Sequence, residues 1–96
     1  PKQGHLVYIG AYLDHVQLPK MGAYAAAKAA LEQFAIVLAK ENRRKRITVV
    51  RPGAVNTPFW ENVGIKMPED AKKPEDVAKA ILEHHQSDAT GDLNLD

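Results

Sequence analysis

The chain has 96 residues, 45% hydrophobic and 26% charged, an ordinary balance for one soluble globular unit with a small core. It contains no cysteine, which excludes disulfides, thiolate metal sites and a cysteine nucleophile. A net charge of +1 gives no strong pull toward nucleic acid or membranes, and no apolar run reaches the roughly 18 residues of a membrane span, so a cytoplasmic location is the default expectation.

Leu6-Val-Tyr-Ile9 is a short apolar run with β-branched residues, ended by Gly10, and reads as a buried strand. Residues 10–21, with Asp14, His15 and Pro19, read as a loop. A long helix is expected over Ala23–Glu41, its inward face drawn from Ala27, Ala30 or Leu31, Phe34, Ala35 and Leu38 at three- and four-residue intervals. Lys40, Arg43, Arg44, Lys45 and Arg46 at its end complement the helix dipole and read as a solvated terminus. Ile47-Thr-Val-Val50 is a second β-branched strand, stopped by Pro52-Gly53. A short helical piece over Pro58–Asn62 and a loop over Gly64–Lys73 follow. Pro74–His85 reads as a helix with proline in its first turn and acids beside it, and Pro68-Glu-Asp70 resembles a second helix start. Asp92–Asp96 alternates and reads as a third strand. The order β-α-β-α-β implies an α/β fold with parallel strands and right-handed crossovers.

Tyr24 and Lys28 carry the chemistry. On a helix their spacing places a phenol and an ammonium on one face, about one turn apart. A cation that close favours the phenolate, so a lowered tyrosine pKa is expected, suited to proton exchange near neutral pH. His84 and His85 are adjacent and should point in different directions, so no metal site is expected. Phe59 and Trp60 either line a pocket or anchor the loop.

Tyr24-Ala-Ala-Ala-Lys28 at the start of a long helix, followed after the next strand by Pro52-Gly53-Ala54-Val55-Asn56-Thr57, resembles the Tyr-x-x-x-Lys and Pro-Gly-x-Val-x-Thr motifs of the short-chain dehydrogenase/reductase family. The resemblance implies the C-terminal half of a Rossmann-type, doubly wound parallel sheet, with residues 1–96 as a single partial domain. It also implies NAD or NADP as cofactor and a small-molecule carbonyl or alcohol as substrate. Tyr24 would exchange the proton on the substrate oxygen, and Lys28 would lower the Tyr24 pKa and bond the nicotinamide ribose. The Val55 backbone and Thr57 would hold the cofactor, with Pro52-Gly53 allowing close backbone approach.

Two departures qualify this. The Gly-rich pyrophosphate turn of the family does not occur in these residues, so the chain alone is expected to bind dinucleotide weakly or not at all and to be inactive. The family's substrate-binding serine falls at Ala11, and the one serine in the chain is Ser87. Tyr12 or His15 could supply a substitute donor, placing Ala11, Tyr12 and His15 on the substrate side. Two alternatives stand beside an enzyme: a non-catalytic dinucleotide-binding or scaffolding relative, and a half-domain that self-associates through an unpaired strand edge and an uncovered helix. A homo-oligomer is expected in either case.

Overall fold

The computed structural model describes residues 4–95, the Asp14 side chain excepted. Three parallel strands, β1 (His5–Ile9), β2 (Arg46–Arg51) and β3 (Gly91–Asn94), form one sheet in the order β1-β2-β3. Helix α1 (Gly22–Glu41) connects β1 to β2, while α2 (Phe59–Val63) and α3 (Pro74–Gln86) lie between β2 and β3. The expected α/β order is therefore present, the short helical piece expected over Pro58–Asn62 appears as α2, and a 3-10 turn at Leu13–Val16 is added within the expected loop. Pro68-Glu-Asp70 forms a turn rather than a helix start. The third strand begins one residue earlier than expected and ends at Asn94; Asp96 lies outside the described residues.

Strand β2 is the centre of the core. Its run Ile47-Thr-Val-Val50 is buried on both faces, with Val50 and Thr48 fully enclosed. Continuous β-branched sequence is what a parallel strand covered on both sides requires. Burying each Val or Ile stabilises by about 1.5–3 kcal/mol relative to exposure. Strand β1 is paired on one edge and leaves Leu6, Val7 and Ile9 exposed.

Helix α1 bears out Ala35, Leu31 and Leu38 of its expected inward face and departs from it at Ala27 and Phe34. Its buried side chains are Glu32 and Ala35. Tyr24, Lys28, Leu31 and Leu38 are half-buried beside them, while Ala27, Ala30 and Phe34 face outward. Alanine occupies so much of the helix that the sequence carries little contrast between faces, and the large apolar residues Phe34, Ile36 and Val37 are about half exposed. Phe34 still meets the edge of the Tyr8 ring, at 6.2 Å between centroids. The helix ends where Asn42 turns back, its backbone N–H and side-chain amide both donating to the Leu38 carbonyl.

Helix α3 follows its sequence signals closely. Pro74 occupies the first turn with Glu75 and Asp76, and His84 and His85 stand in the last turn.

Candidate functional site

The carboxyl ends of β1 and β2 open onto a cleft of about 580 Å³. In parallel α/β sheets this is where ligands bind, because the strands stop and loops diverge there. The loop after β1 supplies Ala11, Tyr12 and His15 to the cleft, α1 supplies Tyr24, and the loop after β2 supplies Pro52, Gly53, Val55 and Thr57. Every candidate catalytic, cofactor or substrate residue named from the sequence therefore meets in one cavity, except Lys28. The lysine lies behind Tyr24, its ammonium 5.5 Å from the ring centroid, and donates to the Ile9 carbonyl at 2.8 Å. It joins the helix bearing Tyr24 to the end of β1.

The expected lowering of the Tyr24 pKa is not found. Burial raises it above its ordinary value of 10.0. The Tyr24 ring packs 5.0 Å from Phe59, and this loss of water penalises the phenolate. Lys28 sits toward the ring face and is engaged by a carbonyl, so its charge does not offset desolvation. In this geometry Tyr24 holds its proton at neutral pH, which fits a donor better than a base.

The loop after β2 is shaped by its own backbone. Gly53 has φ 75°, a left-handed conformation that side chains resist, so glycine is required there for local geometry. The segment is then tied to residues just before α3: Asn56 N–H donates to the Lys72 carbonyl and Lys72 N–H to that of Ala54, both at 2.8 Å. Trp60 donates its indole N–H to the Val55 carbonyl at 2.8 Å. The Thr57 hydroxyl accepts the Phe59 N–H at 3.4 Å at the start of α2. Phe59 and Trp60 thus do both things expected of them, lining the cleft and anchoring its loop.

At the position of the family serine, Ala11 is buried in the cleft wall and offers a methyl group. Ser87 cannot replace it, because its hydroxyl donates to the His84 carbonyl at the end of α3. Tyr12 and His15 meet with their rings tilted by 36° at 5.1 Å between centroids on the same wall. Lys66, Asp70 and Lys72 also line the cleft. Sequence reasoning missed them because nothing in a loop's composition reveals that it folds back over a site.

At the opposite end of the sheet the histidines gather. His5 of β1 contacts His85 Nδ1 through its own Nδ1 at 2.8 Å and Thr48 Oγ1 through Nε2 at 2.8 Å, and Thr48 Oγ1 meets His84 Nε2 at 3.2 Å. Arg46 donates to the carbonyls of His85, His84 and Ala89 at 2.9, 3.3 and 2.6 Å. His84 turns to Thr48 and the more exposed His85 to His5, so the two neighbours point to different partners as expected, while β1 joins both to one cluster through His5. Among the described residues no group of three or more His, Asp or Glu side chains is arranged to hold a metal ion.

Comparison with known proteins agrees with this fold. The family model for short chain dehydrogenase matches residues 1–68. An oxidoreductase of Saccharomyces cerevisiae is 35% identical over 60 residues, covering 62% of this chain and 24% of that protein. A 3-amino-tetrahydro-pyrrolizinone reductase of Xenorhabdus hominickii is 36% identical over 61 residues, covering 62% of this chain and 21% of the reductase. Among solved structures, a Thermus thermophilus protein assigned to the short-chain oxidoreductases superposes with a TM-score of 0.76 at 39% identity, covering 86% of this chain and 42% of that one. A Burkholderia thailandensis oxidoreductase of the short chain dehydrogenase/reductase family gives a TM-score of 0.70 at 29% identity, covering 99% of this chain and 43% of that one. The chain therefore spans less than half the length of the proteins it matches.

Proposed function

Because the chain belongs to the short-chain dehydrogenase family, we propose that it supplies the proton-transfer half of an NAD(P)-dependent oxidoreductase acting on a small carbonyl or alcohol. The convergence of Tyr24 with Pro52, Gly53, Val55 and Thr57 in one cleft carries this reading. The chain's residues fit the nicotinamide end of such a cofactor. Gly53, at φ 75°, has no side chain to stand between its backbone and the cleft it lines. The pyrophosphate end has no Gly-rich turn among these 96 residues, so tight dinucleotide binding requires one from elsewhere.

The chemistry that a bound nicotinamide supplies is hydride exchange with the substrate carbon. The work of this chain's own residues is to orient the substrate and move one proton. In the reductive direction the Tyr24 hydroxyl, a neutral phenol whose ionisation burial further disfavours, donates to the carbonyl oxygen as that oxygen gains charge. Phe59 packs against the Tyr24 ring, and Ala11 and Met21 add apolar surface to the same cleft, which lowers the water around the phenol. Lys28 holds α1 against the end of β1 and places positive charge near the phenol. Tyr12 and His15 line the same cleft, which supports either as a second donor to the substrate oxygen.

The test is turnover of the full-length protein with NADPH or NADH and a carbonyl panel. Tyr24→Phe should lower turnover by about 10²–10⁴-fold without weakening cofactor binding. Turnover unchanged in Tyr24→Phe would sink the proposal. Ala11 favours a second reading, a dinucleotide-binding relative without catalysis, since one oxyanion donor is worth about 3–4 kcal/mol of barrier. Cofactor binding with no turnover across the panel would establish that reading instead. The exposed Phe34, Ile36 and Val37 of α1 and the open edge of β1 further support self-association, which light scattering would detect as species above monomer mass.

A further inference from the structure

Glu32 is a charged residue on the buried face of an otherwise alanine-rich helix, only 7% exposed. It follows Tyr24 and Lys28 at the same four-residue interval, so the three share one stripe of α1. One carboxylate oxygen, Oε1, accepts from Arg51 twice: from Nε at 3.0 Å and from Nη2. The third arm of that guanidinium reaches β3, donating to Asn94 Oδ1 at 3.0 Å and pairing with Asp92 at 3.0 Å. The other carboxylate oxygen, Oε2, is buried without a hydrogen-bond partner and lies against Gly10. A Cβ at Gly10 would sit 3.4 Å from it and 3.0 Å from Val49 Cγ1.

A buried ion pair is a poor way to gain stability, since apolar replacements of similar volume often do as well. What such a pair supplies is a unique geometry. Alanine side chains offer no ridges to lock one helix position against a sheet, so α1 could slide or rotate on β2 with little loss of contact. A guanidinium fork on a single carboxylate oxygen does not tolerate that slide. Arg51 is also the last residue of β2, immediately before the Pro52–Thr57 loop. Glu32 therefore ties the helix bearing Tyr24, about 12 Å away along its axis, to the strand end from which that loop departs.

We propose that the Glu32–Arg51 pair is a positioning element that sets the register of α1 against β2 and so fixes the Tyr24 phenol opposite the Pro52–Thr57 loop. Its consequence for turnover rests on the oxidoreductase reading, whereas its consequence for geometry does not. The loop contains a reporter: the indole N–H of Trp60, the one tryptophan of the chain, donates to the Val55 carbonyl. Its proton–nitrogen resonance is assigned by its loss in Trp60→Phe. Glu32→Gln keeps the shape and loses the charge, and Arg51→Lys keeps the charge and loses the fork. Both variants should shift the Trp60 indole resonance of the folded protein. In the full-length protein both should lower kcat by up to a hundredfold with KM much less affected. The double variant Glu32→Gln/Arg51→Gln leaves no unpaired charge in the core, only the exposed Asp92 losing its partner, and covers the case in which a single variant fails to fold; it too should shift the indole. An unshifted indole resonance in the folded variants, with only a lower unfolding midpoint, would make the pair merely structural and overturn the proposal. Absence of turnover in the wild-type protein would defeat the oxidoreductase reading alone, leaving the indole shift to decide this one.

Discussion

The two ends of the sheet are both polar, yet they are built for opposite purposes. At the carboxyl end, backbone bends away from the strands, Gly53 adopts φ 75°, and a cavity remains into which Tyr24 projects. At the amino end, His5, Thr48, His84 and His85 bond to one another while Arg46 closes three carbonyls, two from the end of α3 and one from Ala89. One end leaves polar groups facing a space, and the other turns them on each other. The number of titratable side chains therefore does not identify the site. What identifies it is polar groups that converge on a volume.

Substitutions sharpen this contrast, the largest effect first. Lys28→Met removes both the cation near Tyr24 and the bond to Ile9, and should cut turnover of the full-length protein by on the order of 10²-fold, read by cofactor absorbance. Arg46→Ala uncaps three carbonyls at the other end and should cost about 2–4 kcal/mol in denaturant unfolding while leaving kcat as it was. Gly10→Ala presses a methyl group against Val49 and Glu32 and should cost about 1–3 kcal/mol in the same measurement. It should also move the Trp60 indole resonance if the helix is pushed off its register.

The smallest effect is a pH dependence at the amino end. His5 is held below its ordinary value of 6.5, chiefly by burial and then by the charges of Arg46, His85 and His84. Its folded pKa is depressed, so below 6.5 the unfolded chain binds more protons than the folded one. The contribution of His5 is thus complete above that value and drains away as pH falls through the lower folded pKa. The contacts give the same sign. Two imidazole nitrogens 2.8 Å apart share one proton, and a second proton on that pair breaks the bond between β1 and α3. Urea midpoints followed from neutral pH to about 5 should fall more steeply for the wild type than for His5→Gln.

The elements were legible where one physical preference dominated. Ile47 to Val50 could only be a covered strand, and Pro74 with Glu75 and Asp76 opens a helix where an amphipathic run follows, whereas the same tripeptide at Pro68–Asp70 makes only a turn. The motif residues were legible as a set because Tyr24 and Pro52–Thr57 are each local patterns. The buried face of α1 was legible only in part, since alanine on every side hides the orientation and a glutamate proved to be among the most enclosed residues. The Tyr24 pKa was misjudged because spacing gives the distance to Lys28 but not the burial against Phe59. The histidine cluster joins residues up to 80 positions apart, which no local pattern can announce.

The central claim is that proton transfer belongs to the carboxyl end of the sheet. The most direct test is to assay Tyr24→Phe and His84→Gln side by side in the full-length protein, following transfer of deuterium from labelled NADPH or NADH to a carbonyl substrate. The account predicts a loss of about 10²–10⁴-fold for Tyr24→Phe and a wild-type rate for His84→Gln. Equal transfer by Tyr24→Phe and wild type would contradict it.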